Sequence, residues 1–367
     1  MKRPAYIIHW ELIRMKTARK KTVVALTVLS AILLIFFSAP AAEGVRSSLL
    51  LCTDTLIPSL FPFMIASSYL SGLLNTDEKG GVLSKTARRL FGLSEGARGL
   101  LFCALFGGYP VGARLAAQRA GSGRLSGTDR KVLSRLAFFP APSFTVAAVG
   151  QKMFSSARTG FMICGCVLFA GIVCGAAFSF PRDKSEPHIT PASLEQKKDL
   201  PGAVNDAAAG ILGVCLWTVF FGAVRGVLTA LMHTENALLT CVSEVSAGCL
   251  ICAGKNDPAL AAAVCAFGGF CGHLQIYTYL KRLGCRYRDF LLFRVFHSAL
   301  SYLAARAATA VLPAAILTSS TLRNEIKPAL TSGVGAVMLF FLCCLLVLDT
   351  AGSTTFLSGS RFGVAPE

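Results

Sequence analysis

The sequence predicts an all-α, polytopic membrane protein of about eight transmembrane helices plus two re-entrant hairpins, arranged as an inverted repeat. Three observations carry this. Hydrophobic residues make up 54% of the chain and charged residues 15%, with a mean hydropathy of +0.60; a soluble chain of 367 residues carries more charge. Several apolar runs reach about 20 residues, enough to cross a ~30 Å hydrocarbon core. Finally, four short interruptions fall inside those runs as two pairs. The first pair is Gly107-Gly108-Tyr109-Pro110-Val111-Gly112-Ala113-Arg114 and Phe139-Pro140-Ala141-Pro142-Ser143-Phe144. The second is Ser243-Glu244-Val245-Ser246-Ala247-Gly248 and Phe267-Gly268-Gly269-Phe270-Cys271-Gly272-His273-Leu274-Gln275. Gly, Pro and charge are costly against lipid and persist where a segment lines a cavity. Corresponding interrupted segments in two halves are the pattern of a secondary transporter with a midplane site.

The elements follow in order. Residues 1–44 form a basic N-terminus and a signal-anchor helix at 22–39. Ala39-Pro40-Ala41 has the look of a cleavage site, but the long basic region and the membrane-embedded remainder favour an uncleaved anchor. The first repeat unit, 45–180, holds a span at 49–74, an amphipathic interfacial helix at 82–93, a hairpin at 99–118, a broken span at 132–154 and a span at 159–180. A polar linker, 181–204, is rich in Pro, Lys, Glu and Ser. The second unit, 205–313, holds a span at 205–231, a hairpin at 238–254, a broken span at 259–280 and a span at 290–313. Residues 314–367 are a C-terminal helix, 330–348, and a tail.

Charge bias decides the hairpins. With the N-terminus in the cytoplasm, loops 75–98, 119–131, 181–204 and 281–289 lie inside and hold most loop cations, among them Lys85, Arg88, Arg119, Arg130, Lys281 and Arg286. The outer loops hold Arg46, Arg158, Lys255, Arg323 and Lys327. Were 99–118 a full span, the Arg119–Lys131 cluster would lie outside, against the positive-inside bias. A competing register aligns CALFGGYPVGARL (103–115) with CAFGGFCGHLQI (265–276) and would make 99–118 a true span.

Composition also bounds function. The net charge of +17 sits in short loops and sets orientation; without a basic-aromatic face or a known module it does not point to nucleic acid. Most of the 14 cysteines lie in apolar segments and act as small hydrophobes. Cys249-x-x-Cys252 lacks the second Cys or His pair that a metal site needs. No Ser-His-Asp, metal-ligand or phosphate-cradle spacing is present, so neither an enzyme nor a cofactor is expected.

The motifs IPSLFPF (57–63), GGYPVGA (107–113), Ser243–Gly248 and FGGFCGHLQ (267–275) resemble the sporulation integral membrane proteins of endospore-forming bacteria, which carry nucleoside-recognition, or Gate-type, domains. The resemblance covers about residues 45–313. More distantly, 125–150 and 260–312 are similar to the core of concentrative nucleoside transporters. The first resemblance implies movement of dipicolinate into the developing spore, in the cell membrane or the outer forespore membrane. The second implies paired hairpins, broken helices and an elevator-type domain. It does not imply a nucleoside substrate, because the hairpin signature Gln-Thr-Glu-Ala-Pro is replaced by Gly107-Gly108-Tyr109-Pro110.

A pyridine dicarboxylate needs cations or backbone N–H groups, and broken helices supply positively polarised N-termini. The candidate substrate-binding residues are Gly108, Tyr109, Pro110, Arg114, Pro142, Ser143, Gly269, His273 and Gln275. Arg114 offers a planar fork for a carboxylate, or it snorkels to the interface. Tyr109 and Phe144 could stack on a ring or simply pack. Glu244, an acid inside an apolar stretch, is the candidate site for a coupling H+ or Na+, or else a structural hydrogen-bonding group. His273 could bind an anion or relay a proton, or be a satisfied interior group. The expected partners are thus a small-molecule anion, a coupling ion and membrane lipid, and the sequence leaves a homo-oligomer open.

Overall fold

The computed structural model describes residues 21–22, 24–73, 82–123, 125–179 and 200–311. Every element among them is helical. The predicted helix at 330–348 and most of the linker lie outside the described residues. The chain divides into two compact units, and residues of both predicted repeats fall in the larger one, 48–218 with 237–311.

The smaller unit comprises residues up to 47 together with 219–236. It contains α1 (Val24–Phe36), the start of α2 (Ser38–Leu51) and the end of α8 (Leu200–Met232). Its helices meet at small residues: a Cβ on Gly44 would run into the backbone of Gly222, and one on Gly226 into that of Pro40. Such contacts let helix backbones approach closely in a membrane. Arg225 Nη2 donates to Ser47 Oγ at 3.1 Å.

The expected break between spans 22–39 and 49–74 is shorter than predicted. Helix α2 runs through a π-helical turn, π1 (Cys52–Leu56), into α3 (Ile57–Leu73). Pro40 did not stop it, because in a helix's first turn proline forfeits no hydrogen bond. Four helices among the described residues are long and apolar enough to cross a membrane: Ser38–Tyr69, Ala157–Phe178, Leu200–Met232 and Pro258–Arg282. The broken span predicted at 132–154 is two short pieces, α6 (Gly127–Leu136) and the π-helical π2 (Ser143–Met153). The predicted 290–313 is α13 (Tyr287–Val311), whose Arg288, Asp289, Arg294 and Arg306 lower its apolarity. Helix α4 (Val82–Phe91) occupies the predicted amphipathic stretch, with Lys85, Arg88 and Arg89 exposed and Phe91 buried beside Gly175.

Residues Glu95–Gly121, α5, are two helical limbs joined at Gly108, whose φ of +70° only glycine adopts readily. The limbs fold back on one another: a Cβ on Gly112 would stand 2.6 Å from that of Ala104. The ends confirm the reversal. The buried Asp129 accepts from Ser94 N (2.9 Å) and Ser94 Oγ (2.7 Å), just before α5, and from Ser126 N (3.1 Å) and Ser126 Oγ (2.8 Å), just after it. A straight helix of 27 residues would hold those ends about 40 Å apart. A second fold-back joins α9 (Ala237–Ser243) to α10 (Val245–Gly254), with Cys241 Sγ reaching Gly248 O at 3.8 Å.

Two interrupted helices accompany the fold-backs. Pro140-Ala141-Pro142 separates α6 from π2, and Gly268-Gly269, both with positive φ, separate α11 (Pro258–Phe267) from α12 (Gly269–Arg282). Helix α7 (Ala157–Phe178) packs on π2 and α13 packs on α11, while α7 and α13 pack on each other. The same order of fold-back, interrupted helix and covering helix therefore occurs twice. Phe161, Phe169, Leu292, Phe296 and Leu303 leave α7 and α13 with exposed apolar side chains.

Candidate functional site

All four interruptions reach one half-enclosed cavity of about 70 Å³. The first fold-back contributes Gly107 and Tyr109, and the first interrupted helix Pro140, Ala141, Ser143 and Phe144. The second fold-back contributes Glu244, Val245 and Ser246, and the second interrupted helix Gly268, Cys271, Gly272 and Gln275. Leu56, Leu60 and Met64 of π1 and α3, with Val214 and Thr218 of α8, complete an otherwise apolar wall.

Glycines let the tips approach. A Cβ on Gly108 would stand 2.6 Å from Ala141 Cβ, so the first tip packs against the first interruption. A Cβ on Gly269 would stand 2.9 Å from Val245 N, the equivalent contact in the second half.

Polar chemistry concentrates on few atoms. Tyr109 Oη and Ser143 Oγ are buried and have no hydrogen-bond partner among the described residues. Unpaired hydroxyls in such surroundings are costly, and a ligand that accepts hydrogen bonds would satisfy them. Tyr109 lies against Gly268, where a Cβ would collide with its hydroxyl. Glu244, only 5% exposed, is the N-cap of α10: Oε1 accepts from Ser246 N at 2.9 Å and Oε2 from Ala247 N at 2.6 Å. Its charge thus faces a positively polarised helix end.

Of the predicted residues, Tyr109, Ser143, Gln275 and Glu244 line the cavity. Gly108 and Gly269 shape its tips, Pro142 is the N-cap of π2 beside the lining, and Pro110 begins the second limb of α5. Arg114 and His273 fall outside the lining. Arg114 Nη1 pairs with Asp206 Oδ1 of α8 at 2.9 Å, and Asp206 Oδ2 also accepts from Ser68 Oγ at 3.3 Å. Its fork is engaged by a fixed carboxylate. His273 is fully buried, with Nε2 at 2.9 Å from Phe267 O and Nδ1 at 3.1 Å from Tyr287 Oη. A carbonyl only accepts, so Nε2 carries the proton and Nδ1 accepts from the tyrosine. Phe267, Phe270 and Phe290 surround the ring. It is a satisfied interior group on the side of α12 turned from the cavity.

The sequence reading missed Arg294 and His297, both fully buried on α13. Arg294 donates to Ala266 O at 3.1 Å and to Phe138 O, and its guanidinium lies 5.6 Å from the Tyr109 ring centroid. His297 Nε2 lies 2.9 Å from Val167 O. An Arg and a His at i, i+3 inside an apolar span were the available signal. Among the described residues, no group of three or more His, Cys, Asp or Glu is arranged to hold a metal ion. Cys249 Sγ lies 3.5 Å from Cys265 Sγ.

The apolar helices and their internal polar interruptions define a helical integral membrane protein. The chain is similar to the sporulation integral membrane protein YlbJ of Bacillus subtilis (strain 168), with 26% identity over 166 residues. The matched stretch is 45% of this chain and 40% of that relative, so the chain spans less than half of the relative's length in the match. No protein-family model and no solved structure matches significantly.

Proposed function

We propose that the chain is a secondary transporter for a small organic anion, with the cavity as its binding site. One observation carries this reading: four separate interruptions meet at one cavity into which Tyr109 and Ser143 present unpartnered hydroxyls. In this reading the two fold-backs are re-entrant hairpins entering from opposite sides, with the N-terminus in the cytoplasm. The second limbs begin beside the lining residues Tyr109, Ser143, Val245 and Gly268, so their positively polarised ends favour an anion. Glu244 is the coupling group, exchanging its helix-capping role for a proton or Na+ during the cycle. The resemblance to sporulation membrane proteins makes dipicolinate the first substrate to test and the outer forespore membrane the corresponding location.

The deciding experiment is uptake into liposomes containing the purified full chain. Labelled pyridine-2,6-dicarboxylate should accumulate and labelled nucleosides should not. Accumulation of nucleosides instead would identify a nucleoside-type permease. Uptake of neither, by correctly inserted protein, would leave a gating or interaction component of a spore membrane assembly.

A further inference from the structure

Resting on the anion reading above, we propose that Arg294 is a positioning residue that gives the cavity its preference for anions, acting through Tyr109. A buried ion in a protein interior is ordinarily paired, because desolvation costs several kcal/mol. Arg294 is wholly buried, yet no described carboxylate forms an ion pair with it. Its guanidinium instead reaches Ala266 O, at the end of α11, and Phe138 O, just beyond α6. Helices that stop short leave their last carbonyls without partners and carry partial negative charge there, as at Ala266. Phe138 O lies in the irregular stretch after α6, so one planar fork serves both interruptions at once.

These carbonyls are dipoles, so the guanidinium keeps its full charge. His297 does not change that balance. Its Nε2–H donates to Val167 O, which leaves the Nδ1 lone pair facing Arg294 Nη1 at 3.5 Å. The imidazole is therefore the neutral tautomer in this arrangement.

Tyr109 is the layer between this charge and the cavity, since its ring lies against Arg294 while it also lines the cavity wall. Its hydroxyl has no partner among the described residues and can donate to a ligand. A nearby cation polarises the phenol and strengthens donation to an anionic acceptor. The lining itself holds one acid, Glu244, and no Lys or Arg. Without Arg294 an incoming anion would meet a net negative site; with it the two formal charges cancel.

The test uses the purified full chain and two ligands of the same shape, pyridine-2,6-dicarboxylate and its uncharged diamide. Affinities for both and melting temperatures are measured for wild type, Arg294→Lys, Arg294→Gln and Tyr109→Phe. Arg294→Gln should lose about tenfold or more of the preference for dicarboxylate over diamide. Arg294→Lys should melt lower, because an ammonium lacks the planar fork that spans both carbonyls, yet keep most of the preference. Tyr109→Phe should retain the fold and lose about threefold to tenfold of the preference. A purely structural role would weaken both ligands together and leave their ratio unchanged. An unchanged ratio in Tyr109→Phe or in a folded Arg294→Gln overturns the assignment. If Arg294→Gln does not fold, the ratios of the other two variants decide. Wild-type protein that binds neither compound overturns the anion reading itself, whereas wild-type binding with unaltered variant ratios removes only Arg294.

Discussion

Glu244 holds a helix end and faces a cavity with the same carboxylate. Two substitutions separate these roles. Glu244→Ala removes the cap and should cost about 0.5–2 kcal/mol of stability. Glu244→Gln keeps a carbonyl oxygen for one backbone N–H, so it should melt between wild type and Ala while its uptake falls as far as that of Ala. Normal uptake by Glu244→Gln at every pH tested would remove the coupling role. Gly268 supports a second prediction. Its φ is +84°, and a side chain there would strike the Tyr109 hydroxyl. Gly268→Ala should cost about 1–2 kcal/mol from backbone strain alone and should also weaken ligand binding. A melting temperature and affinity equal to wild type would show that Tyr109 moves aside freely. At this scale the sequence exposed interrupted motifs better than partners. Tyr109, Ser143, Glu244 and Gln275 were legible because they sit at breaks. Arg114 and His273 sit at breaks too, but their partners, Asp206 and Tyr287, come from other helices, and nothing local in the sequence announces such pairings.

Among the elements, the first fold-back shows how far charge counting reaches. The placement of basic residues around 119–131 predicted a re-entrant hairpin at 99–118; in the structure the two limbs of α5 abut at Gly108. The competing alignment of 103–115 with 265–276 failed to separate the cases because both stretches do contain a glycine break. In one the limbs double back, and in the other α11 and α12 form one interrupted span. The fixings at either end make the difference, and Asp129 is the one that can be tested. It is fully buried and accepts four hydrogen bonds from Ser94 and Ser126. Asp129→Asn presents an amide N–H₂ to groups that are themselves donors. We expect a loss of about 2–4 kcal/mol in denaturant unfolding in mild detergent. A loss under about 0.5 kcal/mol, the scale of an exposed surface change, would mean the fold-back holds without its base. The π-helical segments were not legible, because an extra residue in a turn leaves no mark on an apolar pattern.

For the molecule as a whole, the arrangement of loops is the open quantity. Arg135 Nη1 donates to Phe178 O at the end of α7, and the charge cluster of Arg286, Arg288 and Asp289 opens α13. The inverted reading puts residues 119–131 and 281–289 on one side of the membrane, facing the cytoplasm. Single cysteines placed at exposed positions such as Ser122 and Arg286, in a background lacking the native cysteines, should react with an impermeant maleimide only after the cells are opened. Labelling of position 122 in intact cells would exclude the inverted arrangement.

The fastening of Ser94 and Ser126 to one carboxylate also bears on what changes the chain can absorb over time. Because both ends are tied, the number of residues between them is fixed by geometry, while their identities are free wherever size allows. One residue gained or lost ahead of Gly108 would turn everything up to the tip by about 100° and carry Tyr109 off the cavity wall. Two compensating changes, one in each limb, would be needed to restore it. Divergent relatives that keep this cavity should therefore vary in spelling along 95–125 but hardly at all in length, and insertions should gather where no such tie exists.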